Sequence, residues 1–216
     1  MKITIGYLYS DLLNLYGDEG NIKALKYHLE EQNVKVDIKY MTIGDEKNFD
    51  DIDFLYIGSG TENNIYLALE DIKKDKDKIK KYLEDNKLLL STGNSVELFG
   101  NYIITNKKIK ALGLIDYVCM HQERIVKDVK IKTDLVNEEI IGFENHDGKN
   151  ISMSEDFFNE GSFYGSYIIG PILVRNPELC SLFVHRLIDS KEKDFKYGEE
   201  DYEFEKEAYK KAVEII

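Results

Sequence analysis

The run Leu88-Leu89-Leu90 ends at Ser91-Thr92-Gly93-Asn94-Ser95, and apolar residues resume at Val96, Leu98 and Phe99. A buried strand, a tight turn and a helical pattern in that order form the elbow that presents a nucleophile at the top of a sheet. The tip of this turn is Gly93, which has no side chain, so a nucleophile must come from a neighbour. Ser95 is the fallback candidate, because Gly93-Asn94-Ser95 begins a G-x-S turn. Val96-Glu97 come next, where the sharp turn wants a second glycine, and a serine in this place also serves as a helix cap. Thr92 reads as the strand's end. Cys119, on a strand-like string, and Cys180, on an amphipathic one, read as small buried apolar residues. His146 lies in the turn-like string Glu144-Asn145-His146-Asp147-Gly148, His121 reads first as a surface residue with a place facing the cleft as the alternative, and His28 and His185 fall on helices. No histidine pair has metal-ligand spacing with a carboxylate, so neither a metal nor a cofactor is expected.

A second polar string precedes these in the chain. Asp11, Asn14 and Asp18 alternate with Leu12, Leu13 and Leu15, and Gly17 and Gly20 bracket a tight turn before Asn21-Ile22. This is a strand end, a loop and a helix start, with Asp18 or Asn21 expected as the cap.

Positioning these groups requires a sheet. Residues 3–9 and 34–40 alternate in the manner of strands, residues 53–57 form a short apolar run before Gly58-Ser59-Gly60, and residues 88–90 form another. Between them, residues 20–32 and 62–85 have helical spacing, and the lysine-aspartate stretch at 73–81 reads as a solvated face. Alternating strand and helix predicts an α/β domain whose mostly parallel sheet carries helices on both faces. Ligands of such sheets bind outside the carboxyl ends of the strands. The loops after Tyr9, at 58–63 and at 92–95 therefore share one rim. Further strands are expected at 125–133, 139–143 and 162–169, then a helix at 177–188. Residues 1–190 read as one domain, and residues 191–216 as an acidic linker with a surface helix.

The chain has 216 residues, 43% apolar and 32% charged, enough to bury a core. Its formal charge of -12 argues against nucleic acid and anionic membrane as partners. No run of 18 apolar residues exists, so membrane insertion is not expected. The first ten residues are too polar for a signal peptide, and two distant cysteines suggest no disulfide framework. A cytoplasmic protein is the expectation.

Five strings, in order, carry a resemblance: LYSDLLNLYGDEGNI at 8–22, IGSGTENN at 57–64, KALGLIDY at 110–117, IGFENHDGKN at 141–150 and YGSYIIGPILVRNPEL at 164–179. Over residues 1 to about 187 the chain resembles the CobB/CobQ-like class I glutamine amidotransferases, closest to their branch of glutaminase subunits of lipid II isoglutaminyl synthases. That resemblance implies a flavodoxin-like class I amidotransferase fold. It also implies a Mur-ligase-like synthetase (MurT-type) as partner, and a role in lipid II amidation in the cell wall. In the family an elbow cysteine attacks the glutamine amide, a histidine moves the proton, and backbone N–H groups hold the oxyanion.

The family elbow reads approximately I-C-G-G-Y-Q-L-L-G, which sets Gly93 at the cysteine and Glu97 at the glutamine. The late family string G-T-Y-L-H-G-P sets Ile169 at the histidine. Neither residue can do the chemistry, and losing either member of such a pair removes on the order of 10⁴-fold of rate. The resemblance thus implies an amidotransferase-like subunit without glutaminase activity. An active hydrolase using Ser95, and a small-molecule binding module, remain as alternatives. A surviving pocket for a glutamine-like or carboxylate ligand would use Arg124, placed where the family has a substrate-contacting arginine, with backbone at Gly60 and Asn94. Asp11, Asn14, Asp18, Asn21, Glu144, Asn145 and His146 complete the motif positions.

Overall fold

Strands β1 (Lys2–Leu8), β2 (Lys35–Met41), β3 (Phe54–Ile57) and β4 (Leu88–Thr92) form where β-branched and apolar residues concentrate. In the computed structural model they lie parallel and are continued by β10 (Phe163–Ser166), with β9 (Phe157–Glu160) antiparallel at the edge. The resulting order is β2-β1-β3-β4-β10-β9. The structure describes residues 1–151, 156–198 and 202–216.

Side chains alternate faces along each strand, and the core divides accordingly. Ile3, Ile5, Tyr7, Phe54, Tyr56 and Leu90 pack against α1 (Glu19–Glu31), the short α4 (Ile172–Arg175) and α5 (Pro177–Lys191). Leu55, Ile57 and Leu89 face α2 (Glu62–Ile72) and α3 (Lys76–Glu84) on the other side. The expected α/β sheet with helices on both faces is therefore the observed one. The single helix expected over 62–85 is broken by a 3-10 turn at Lys73–Asp75. There Asp75 turns inward, 3% exposed, and takes an ion pair from Lys78 at 2.8 Å, so the charged stretch is not solvated throughout.

The second half builds a separate sheet, order β11-β8-β7-β5-β6. Its short strands β5 (Tyr102–Ile104) and β6 (Lys108–Lys110) carry no strong sequence signal. The hairpin of β7 (Val118–Ile131) and β8 (Ile140–Ile151) is much longer than expected. Residues 144–148 are consequently strand, not turn: cross-strand pairing such as Ile125↔His146 overrides the local turn chemistry of Asn-His-Asp-Gly. A register shift between His121 and Ile125 marks a bulge. The strand expected over 162–169 divides, because β10 ends at Ser166 and β11 (Ile168–Ile169) pairs with β8 in the other sheet.

The C-terminal helix α6 (Glu203–Ile215) lies on the body rather than apart from it. Tyr209 donates its hydroxyl to the Glu139 carbonyl at 2.7 Å, and Tyr202 stacks on His28. Residues 199–201 of the expected linker lie outside the described residues.

Candidate functional site

The polar loop after β1 closes first. Tyr9 takes a left-handed backbone, φ 54°, and turns the chain back so that Asp18 reaches under the β3 loop. Asp18 does not cap α1. Its carboxylate is wholly buried and accepts from Ser59 N, Ser59 Oγ and Tyr16 N at 2.9–3.2 Å. Burial raises its pKa, opposed by those hydrogen bonds. The cap is supplied by Asn14, whose Oδ1 accepts from Glu19 N at 2.9 Å. Asn21 is not a cap either. Its amide donates to Tyr56 Oη at 2.7 Å and to the Gly170 carbonyl, and its Oδ1 accepts from Leu173 N at 2.8 Å. One side chain thus ties the first loop to the last. Asp11 bonds the Thr42 hydroxyl at an exposed site away from the cleft.

The elbow forms as the sequence predicts, though β4 leads into a six-residue 3-10 turn, Gly93–Leu98, and not into a helix. Gly93 sits at its tip with φ 63°, a backbone that side chains rarely adopt. A Cβ at Gly93 would lie 2.5 Å from Ser59 Cβ and 3.2 Å from Ile169 Cγ2. The structure therefore brings positions 93 and 169 together and adds Ser59 as a third neighbour. Asn94 folds over the β3 loop in a reciprocal pair: Gly60 N donates to Asn94 Oδ1 at 3.1 Å, and Asn94 Nδ2 donates to the Gly60 carbonyl at 2.8 Å. Ser95 points inward, wholly buried, sharing a bond with Ser91 Oγ at 2.8 Å and donating to the Thr92 carbonyl at 2.9 Å. It does not line the cleft.

That cleft, about 290 Å³, opens at the carboxyl ends of the strands between the elbow and the hairpin. Tyr16, Gly60, Asn94 and Ile169 line one side, and Arg124, Asn145 and His146 the other. The β7 bulge swings Arg124 to the rim, where its Nε donates to Asn145 Oδ1 at 2.7 Å. Asn145 in turn reaches Tyr16 Oη at 3.4 Å. His146 stacks on Tyr167 with ring centroids 4.1 Å apart and bonds the Gly148 carbonyl through Nδ1 at 2.7 Å. Glu144, wholly buried beneath it, lies 3.3 Å from Lys127 Nζ and does not reach the cleft. A larger groove, about 480 Å³, lies at the opposite strand ends around Asp53, Lys87 and Arg186, away from all of these residues.

Two further lining residues are Glu97, which the sequence sets at the family's glutamine, and His121, for which the cleft is the less favoured of two readings. His121 is not a surface residue: its side chain is 15% exposed and Nε2 stands 2.9 Å from Glu97 Oε2. That contact to a carboxylate raises the His121 pKa, and burial raises that of Glu97. The i,i+2 spacing of Cys119 and His121 on one strand was the available signal. Among the described residues no helix is long and apolar enough to cross a membrane.

Comparison with known proteins places this geometry. The CobB/CobQ-like glutamine amidotransferase domain model matches residues 4–169. The chain belongs to the CobB/CobQ-like glutamine amidotransferase family. It is 30% identical to the lipid II isoglutaminyl synthase (glutamine-hydrolyzing) subunit GatD of Staphylococcus aureus, over 96% of this chain and 93% of that one. Identity to the same subunit of Streptococcus pneumoniae is 29%, over 92% of this chain and 84% of the relative. Among solved structures, PurLQS from Thermotoga maritima superposes with a TM-score of 0.59 at 17% identity, covering 88% of this chain and 99% of that chain, which supports the shared fold alone. Gly93 and Ile169 are neighbours at the tip of the elbow, and Ile169 lines the cleft.

Proposed function

We propose that the chain is the amidotransferase-like subunit of a cytoplasmic complex with a Mur-ligase-like synthetase that amidates a lipid II-type cell-wall precursor, and that it does not hydrolyse glutamine. The two GatD relatives support the complex and the substrate class. The observation that carries the loss of hydrolysis is the filled space above Gly93. The volume a thiol would need is taken by Ser59 and Ile169. The neighbouring Gly60 N–H, a donor that could face an oxyanion, is bonded to Asn94 instead. Ser95 is held by the core, so a substitute nucleophile would require the elbow to rearrange.

The cleft retains Arg124, Asn145 and His146 on its outer side, groups suited to a carboxylate or amide ligand. The subunit then binds and positions without cleaving, and nitrogen reaches the synthetase as free ammonia. The test is ammonia release from glutamine by the purified chain, alone and with the synthetase. Beside it runs a variant carrying Ser59→Gly, Gly93→Cys, Asn94→Gly and Ile169→His. The natural chain should be silent and the variant should gain hydrolysis. Ammonia from the natural chain would overturn the reading, and failure to co-purify with the synthetase would remove the complex.

A further inference from the structure

Glu97 belongs to the elbow's 3-10 turn, Gly93–Leu98. Cys119 and His121, two apart on β7, present their side chains to it from one face. One ligand atom from each of the three lies within 4.8 Å of the other two. Three features show that the group is more than packing. Glu97 is 3% exposed, yet its Oε1 accepts no hydrogen bond of regular geometry among the described residues, the neighbouring Cys119 thiol being only a weak donor to the carboxylate. A buried acceptor left in that state costs about 1–3 kcal/mol. His121 directs Nε2 at Glu97, 2.9 Å away, while Nδ1 faces Asp147 Oδ2 at 3.4 Å. An outer carboxylate on the second ring nitrogen is the arrangement that orients a metal-ligating imidazole. Finally, Gly148 keeps the neighbouring space clear. A Cβ there would lie 2.9 Å from Cys119 Sγ and 2.8 Å from Tyr167 Oη, and closer still to Glu97 Oε1.

We propose that Glu97, Cys119 and His121 bind a divalent transition metal ion of the zinc class at the floor of the cleft. A thiolate, an imidazole and a carboxylate form a mixed S, N, O donor set that suits a borderline-soft ion and not magnesium or calcium. Two anionic ligands and one neutral ligand balance the ion's charge. Three protein ligands leave the fourth tetrahedral position for water or a ligand carboxylate. On binding, metal–sulfur, metal–nitrogen and metal–oxygen bonds form. The Cys119 thiol proton and the proton held between His121 and Glu97 leave to solvent, with no change of oxidation state. Glu97 and His121 both line the cleft, so the ion is reached from the side that Arg124 and Asn145 border. The site stands independently of whether the elbow hydrolyses glutamine.

The experiment is a titration of the chelator-stripped full chain with cobalt(II), monitored by absorption spectroscopy. The expected result is a thiolate-to-cobalt charge-transfer band with tetrahedral d–d bands, saturating at one ion per chain and bleached by zinc. Cys119→Ser should abolish the charge-transfer band. Asp147→Asn, at an exposed residue whose change leaves the core alone, should weaken binding roughly 10–100-fold. Circular dichroism verifies that each variant is folded. Absence of a thiolate band in the folded natural chain would overturn the site, as would a band of unchanged strength in Cys119→Ser.

Discussion

The two walls of one cleft have been built to opposite ends. Around the tip of the elbow the polar groups are answered from within the chain, although Glu97 of the same turn is not. Asp18 is held by Ser59 and Tyr16, Asn94 by Gly60, and Ser95 by Ser91 and the Thr92 carbonyl. On the side that meets the hairpin, Glu97 Oε1 and His146 Nε2 are buried without a hydrogen bond of regular geometry among the described residues, and Arg124 stands at the rim. A satisfied buried network favours one rigid arrangement, whereas an unsatisfied one holds free energy that a ligand can recover. The difference teaches that the space above Gly93 is closed by its own neighbours, Ser59 and Ile169, while the hairpin side presents groups that a ligand could still satisfy.

Substitutions can break that contrast. The largest expected effect is on the hairpin wall. Gly148→Ala sets a methyl among Glu97, Tyr167 and Cys119, and cobalt affinity should fall by about 100-fold, a loss comparable to removing a supporting residue of a metal site. Next is Gly93→Cys alone, which meets Ser59 and a left-handed backbone and should destabilise the chain by about 1–3 kcal/mol in a denaturant titration. Adding Ser59→Gly relieves the steric contact but removes the hydroxyl that bonds Asp18 and leaves the left-handed backbone, so it should return only part of the loss. If the single change is neutral, the elbow is looser than its contacts imply. Asn94→Ala removes the partner of both Gly60 groups; Gly60 is buried but borders the cleft, from which water can take up the bonds, and the loss should be about 1 kcal/mol.

The finest effect is read in its sign. Burial raises the Asp18 carboxyl, so the folded chain binds a proton more readily than the unfolded one. Its contribution to stability is present below the ordinary carboxylate value and is lost as pH rises through the raised folded value. Asp71 lies outside the cleft and behaves oppositely. Lys47, Lys74 and Tyr9 hold its carboxyl below the usual carboxylate range despite burial. Its contribution persists through mildly acidic conditions and fades only as pH falls through that depressed value. Thermal melts of the natural chain and Asp18→Asn, from neutral to mildly acidic pH, should therefore diverge in favour of the natural chain. The same comparison with Asp71→Asn should hold a constant gap until stronger acid.

Sequence reading recovered the parallel core because its signals are local: alternating strands, glycine loops and helical spacing each declare themselves within ten residues. Gly93 and Ile169 were placed at the cleft through motif strings, and the structure sets them beside one another. What escaped the sequence was tertiary. Nothing adjacent to Ser59 tells that it fills the space of a Cβ at Gly93. Asp18 looked like a helix cap because caps use that residue type, yet a buried loop needed its acceptors more. The 144–148 string looked like a turn because Asn, Asp and Gly favour one, until pairing with β7 outweighed that preference. His121 looked solvated because its sequence neighbours are polar, whereas on a strand the relevant neighbours are two residues away and across the sheet.

The passage of the main sheet from β4 directly to β10 also dictates an order of assembly. Residues 93–162 must be looped out before Phe163 can meet Leu89, and closing so long a loop carries an entropy cost that short-range contacts do not offset. The first four strands and α1 to α3 can gather early, from contacts close in sequence, while β10, β11 and α5 join only after the intervening hairpin has emerged. On the ribosome the cleft would then be the last surface to exist. The pairing of Ile168 with Glu144 then joins the two sheets at a boundary that the elbow already bridges through Tyr117 and Val96, and this boundary is where a slow folding phase should be sought.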